Sequence, residues 1–193
     1  MNKKRYAIPL MAAAALVPLI TFVTAREADF SAFPWFPNQN YWVDIFLYGK
    51  SRLLMGLGVI MGGILAYEGV RSRLRKPGRE FLFLGLFAVL LLLSTAMSEY
   101  PYYSLEGIME QYEPLGVQLS YLLLCLYAYE YVVTGGKGEP VENAFLVGCG
   151  IQCFIGYAQM LQYVQNPETW KGLYLTLYNP NYAGIYLVMM LPL

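Results

Sequence analysis

Apolar residues in this chain come in long unbroken runs rather than at every second or every third to fourth position. A bilayer core about 30 Å thick takes roughly 20 apolar residues per helix, and six segments approach that length. They are Tyr6–Thr24, Leu47–Tyr67 with its clean apolar part from Leu53, Phe81–Met97, Leu115–Val133, Ala144–Val164 and Tyr182–Leu193. The pattern predicts an all-α fold, a polytopic transmembrane helix bundle of about six spans. The last segment has only 12 residues, so the chain reads as the N-terminal half of a larger bundle. No repeat or linker divides it, and 1–193 is read as a single transmembrane domain.

Lys/Arg bias predicts the orientation. With the N-terminus cytoplasmic, the inside segments carry Lys3, Lys4, Arg5, Arg71, Arg73, Arg75, Lys76, Arg79 and Lys137, and the outside segments carry only Arg26, Lys50, Arg52 and Lys171. The run VRSRLRKPGR dominates this count and reads as a topology anchor. Lys3, Lys4 and Arg5 ahead of an apolar run also suit a secretory signal, but the length of that run favours a span that stays. Three external loops follow: Ala25–Asp44, Ser98–Pro114 and Gln165–Asn181, all rich in the tyrosine and tryptophan that settle at headgroup depth.

Composition narrows the chemistry. Charged residues make up 13% against about 25% in soluble domains. Thirteen basic and 13 acidic residues cancel, so no basic stripe recommends nucleic acid. With no histidine, histidine-based nucleophile systems are excluded and the commonest metal ligand is missing. Cys125, Cys149 and Cys153 lie in apolar surroundings and make neither a disulfide framework nor a zinc site. No metal and no cofactor is expected.

Polar residues inside or beside the spans are the remaining candidates. Glu106, Glu110 and Glu113 would share one face of a short helix in the second loop, either as acceptors for sugar hydroxyls or as the solvated side of an interfacial helix. Glu130 lies within the fourth span, near its cytoplasmic end. Gln152, Gln159 and Gln162 fall on one face of the fifth, as a polar wall of a substrate groove or as interhelical hydrogen bonds. Gly58 and Gly62, flanked by Gly56 and Gly63, make a close-packing surface. In Tyr178-Asn179-Pro180-Asn181-Tyr182, proline breaks the preceding helix and Asn181 is placed to cap a helix from Tyr182.

Two stretches carry a family resemblance. YNPNYAGIYLVMMLPL, from Tyr178 to Leu193, resembles a segment of the O-antigen ligase and polymerase superfamily. So does Ser94-Thr95-Ala96-Met97-Ser98 followed by Pro101 and Ser104-Leu105-Glu106-Gly107. The resemblance implies a multi-pass bacterial plasma (inner) membrane protein, a glycan ligase or polymerase acting at the outer face on undecaprenyl-pyrophosphate-linked glycans. It also implies membrane lipid as surroundings and a metal-independent glycosyl transfer with the lipid pyrophosphate as leaving group. In ligases of the family, arginines and a histidine of a later external loop act in catalysis. This chain has no counterpart, so no catalytic residue is assigned and the chain by itself is not expected to be active. Asn179, Asn181, Glu106 and Gln159 are the candidate substrate-binding residues. The alternative is a non-enzymatic polytopic membrane protein, such as a transporter subunit or a bundle scaffold.

Overall fold

The structure is a computed structural model that describes residues 3–27, 41–71, 78, 81–107, 112–166, 168 and 172–190. Among them are seven helices and one two-stranded sheet: α1 (Lys3–Leu19), β1 (Thr24–Glu27), β2 (Tyr41–Asp44), α2 (Leu47–Val70), α3 (Phe81–Ala96), α4 (Pro101–Glu106), α5 (Leu115–Val133), α6 (Glu139–Gln165) and α7 (Pro180–Val188). Most of the basic run, Arg73, Arg75, Lys76 and Arg79 included, lies outside the described residues. So do the aromatic stretch from Phe30 to Asn40, Glu110 and Lys171.

Among the described residues the expectation of six spans is cut to three candidate spans. Leu47–Val70, Leu115–Val133 and Glu139–Gln165 are long and apolar enough to cross a membrane, which points to a membrane protein. The apolar parts of the others are shorter, Tyr6–Leu19 and Phe81–Ala96. Pro18 cannot donate a backbone hydrogen bond. After Leu19 the residues Ile20, Thr21, Phe22 and Val23 leave the helix, and Phe22 N donates to Ile45 O at 2.9 Å, leading into the hairpin. There Thr24 pairs with Asp44 and Glu27 with Tyr41 in an antiparallel ladder. α3 ends at Ala96 ahead of Met97 and Ser98. α6 starts five residues earlier than expected, because Pro140 fits the first helical turn and Glu139 and Glu142 suit its positive N-terminal end.

α1 packs chiefly on α6, and α2 on α5. The second seam is the glycine surface read from the sequence. A Cβ at Gly58 would strike Ser120 Oγ and Cβ, and one at Gly62 would come within 3.3 Å of Leu123 Cδ1. Gly56 and Gly63 face open space. α3 has no buried residue and shows its leucines and phenylalanines outward, as a helix facing lipid does.

The two ends of the bundle differ. At one, the hairpin end, the end of α1, the start of α2, α4 and residues 172–179 meet. At the other, Ala7, Leu10, Leu57, Met61, Tyr127 and Tyr131 form the buried apolar cluster. Glu68 and Glu130 are buried beside it.

Candidate functional site

The hairpin end is organised by the first two turns of α2. Asp44, at the end of β2, is buried, and its Oδ1 accepts from the Leu47 and Tyr48 amides at 2.9 and 2.8 Å. Those two donors have no partner inside the helix, so the carboxylate both caps α2 and joins it to the hairpin. Phe46 meets the rings of Tyr174 and Tyr178, with centroids 5.7 and 6.1 Å away. Lys50 Nζ donates to Ile20 O at 2.6 Å and to Thr176 O at 2.7 Å. Arg52 forms an ion pair with Glu106, its guanidinium 4.7 Å from the centre of the Tyr48 ring. Tyr48 in turn meets Tyr112 edge to face at 5.5 Å. One short stretch therefore holds the end of α1, α4 with Tyr112, and residues 172–179.

Residues 172–179 are irregular backbone seated against a membrane helix, where each amide needs a partner. α6 supplies them. Gln159 Oε1 accepts from Leu175 N at 3.0 Å while its Nε2 donates to Leu175 O at 2.9 Å, as a neighbouring strand would. Two helical turns away, Gln152 is fully buried. Its Nε2 donates to Pro18 O at 3.0 Å and to Thr176 Oγ1, and its Oε1 accepts from Thr176 N at 3.3 Å. Thr176 Oγ1 donates onward to Pro18 O at 2.6 Å. Pro18 O and Ile20 O are thus satisfied by Gln152, Thr176 and Lys50 where α1 stops. Between the glutamines, Gly156 leaves room for the buried Leu175, whose Cδ2 would lie 2.7 Å from a Cβ there. Leu175 and Tyr178 have φ of 53° and 70°. Side chains other than glycine take that left-handed region at a cost of about 1–2 kcal/mol, which the bonds around Leu175 offset.

The four sequence candidates are not gathered into one cluster. Gln159 is engaged with Leu175, and Glu106 with Arg52. Asn179, not Asn181, is the N-cap of α7: its Oδ1 accepts from Asn181 N at 2.8 Å, and Pro180 takes the first helical position. The helix therefore begins two residues before Tyr182. The Asn181 side chain is exposed at the same border. Of the three glutamates expected to share a helix face, Glu106 closes α4, Glu113 precedes α5, and Glu110 lies outside the described residues. α4 ends at Glu106, Gly107 follows at φ 89° and Tyr112 at φ 43°, and Glu113 accepts from Gln118 Nε2 at 3.0 Å. Gln162 is exposed, apart from the buried Gln152.

The sequence reading missed Thr176, Gly156 and the inward roles of Lys50 and Arg52. Gly156 is the one with a legible signal, since it falls four residues after Gln152 and three before Gln159. Lys50 and Arg52 counted as outside charges, and their acceptors are remote in sequence.

At the opposite end Tyr6 OH donates to Glu68 Oε1, and Tyr127 OH donates to Tyr6 O at 3.0 Å. Tyr6, Glu68, Tyr127, Glu130 and Tyr131 line a small cavity there. Cys149 is buried and Cys125 and Cys153 are exposed, all as free thiols. Among the described residues no group of histidine, cysteine or carboxylate side chains could hold a metal ion. The chain matches no family model, no curated protein and no solved structure.

Proposed function

We propose that this chain is the N-terminal part of a membrane glycan ligase or polymerase that receives an undecaprenyl-pyrophosphate-linked glycan at the hairpin end, the outer face of a bacterial plasma membrane. The observation that carries this reading is the convergence of all the inter-helix segments described at that end on the first turns of α2, which leaves a border of exposed aromatic and amide side chains. Tyr100, Tyr102, Tyr178 and Tyr182 are exposed there, and so is Asn181. Tyrosine faces stack on sugar rings, and amides bond their hydroxyls. The Lys/Arg bias puts this end outside and the N-terminus in the cytoplasm. A departing pyrophosphate needs positive charge close by. Arg52 is paired with Glu106, and Lys50 keeps one ammonium donor beyond its two backbone carbonyls, so most of that charge comes from other groups and these residues serve in acceptance and positioning.

The test is Asn181→Ala and Tyr102→Ala in the full-length protein in its own cells, followed by surface glycan and membrane protein level. A fall of surface glycan by an order of magnitude at unchanged protein level supports the proposal; unchanged glycan in both variants ends it.

One observation favours a second reading, that of a transporter subunit. Glu68 and Glu130 are ionisable groups buried beside one small cavity, and buried ionisable groups within membrane helices often mark ion or proton paths. Altered solute uptake in Glu68→Gln, with surface glycan intact, selects that reading over the first.

A further inference from the structure

A groove of about 310 Å³ opens on the bundle surface between the end of α1 and α7. Pro18 forms part of one wall, and Tyr182, Ile185 and Met189 form the other. Those three positions are three and four residues apart, so they make one continuous ridge along α7. From Tyr182 to Met189 the ridge runs about 10 Å at 1.5 Å per residue. The single charged side chain lining the groove is Lys50.

Lys50 is the fourth residue of a membrane-spanning helix. It sits at the end of that span, the depth at which lipid phosphates lie. Two of its ammonium protons go to the neutral carbonyls of Ile20 and Thr176, and an ammonium has three donors. Among the described residues the one ion pair is Arg52 with Glu106, so Lys50 has no carboxylate in direct contact. Asp44 contributes negative charge from a distance, with Oδ1 committed to the α2 amides. An apolar trough that begins at a cation in the headgroup layer is complementary to a lipid with a negative headgroup and a hydrocarbon tail.

We infer that this groove is a binding site for an anionic phospholipid, its phosphate at Lys50 and one acyl chain along Tyr182, Ile185 and Met189. The site is independent of the glycan reading, since a structural lipid would serve either function. Its occupant also spans from the end of α1 to α7, beside the Gln152, Thr176 and Lys50 bonds that fasten the end of α1 to α2, α6 and the segment before α7.

The full chain, purified in mild detergent, is exchanged with phosphatidylglycerol or phosphatidylcholine, and retained lipid is counted by native mass spectrometry. Phosphatidylglycerol is expected to be retained roughly fivefold over phosphatidylcholine, the worth of one lysine near an anionic surface. Lys50→Gln abolishes the preference and Lys50→Arg keeps it. Ile185→Trp, at an exposed position that leaves the fold intact, blocks retention of both lipids. Equal retention of the two lipids by the parent chain overturns the proposal. So does an undiminished phosphatidylglycerol preference in Ile185→Trp, or retention of a polyprenyl phosphate with no phosphatidylglycerol preference.

Discussion

The two ends of the bundle are held by different physics. At the hairpin end, irregular backbone is fastened by side chains that bond it directly: Asp44 to the α2 amides, Lys50 to two carbonyls, Gln159 and Gln152 to Leu175 and Thr176, Asn179 to Asn181. At the opposite end, helices meet as helices and the join is chiefly by fitted volume around Met61, with Tyr127 OH on Tyr6 O and Tyr6 OH on Glu68 Oε1 as side-chain bonds beside it. In a membrane the difference follows from solvent. Lipid offers no partner for an open amide, so wherever the chain leaves the helix near the bilayer a side chain has to substitute for water. Where it stays helical, dispersion and shape are the terms left to optimise. One end is therefore sensitive to lost hydrogen bonds and the other to lost volume.

The largest effect expected is at Met61, which is fully buried in the apolar cluster. Met61→Ala should cost about 3 kcal/mol, while Met61→Leu, close in volume, should cost under about 1.5 kcal/mol. The hairpin end should invert that ranking. Gln152→Leu keeps the volume and removes the bonds, leaving the buried Thr176 amide without its acceptor, at a cost of about 2 kcal/mol. Thermal unfolding of the parent and the three variants in bicelles measures these costs. If Gln152→Leu is as mild as Met61→Leu, the distinction between the ends collapses.

The α2–α5 seam crosses between the two regions and sharpens the comparison. A methyl at Gly58 runs into Ser120, so Gly58→Ala should destabilise by about 1–3 kcal/mol through overpacking. Ser120→Gly on the same chain should recover part of that loss, and a double-mutant cycle reads the recovery as coupling. Loss without recovery would mean that backbone spacing rather than the Ser120 side chain sets the seam. A smaller effect is expected at the cap of α7. Asn179→Ala removes the acceptor for Asn181 N and should cost about 1 kcal/mol, with Asn179→Ser or Asp retaining most of it. A full loss in Asn179→Asp would show that the amide rather than the cap matters.

How much of this was legible follows the same division. The three long helices, the glycine seam and the shared face of Gln152 and Gln159 could be read because helical periodicity is local. The overrun of the first span past Leu19 could not. Ile20, Phe22 and Val23 are as apolar as the residues before them, and beyond Pro18 it is the pairing of Phe22 with Ile45, far along the chain, that turns them out of the helix. Likewise the glutamines were readable as a polar face, but their target, the backbone of Leu175 and Thr176, is set by tertiary contact. At Asn179-Pro180-Asn181 the sequence reading placed the cap at Asn181, two residues too late. The preference for Asn179 follows from proline at the first helical position, since it fixes the residue before it in the extended conformation a cap requires. The candidate site was legible in its residue types and in its end of the bundle, and not in its internal bonding.

Arg52 and Glu106 give the finest test. Each side chain is about a third exposed, 32% and 33%, so water screens the pair and its coupling should be near 0.5 kcal/mol. Arg52→Ala also removes the guanidinium from the Tyr48 ring, a contact worth about 0.5–1 kcal/mol at an exposed site. The single change at Arg52 should therefore cost more than the single change at Glu106, and only the double-mutant cycle isolates the ion pair. Raising the salt concentration should shrink the coupling and leave the contribution of the Tyr48 contact in place. A coupling above about 2 kcal/mol that ignores salt would put the pair in a desolvated setting. The hairpin end would then be held by buried charge as well as by bonds to backbone, and the comparison between the two ends would have to be redrawn around Arg52.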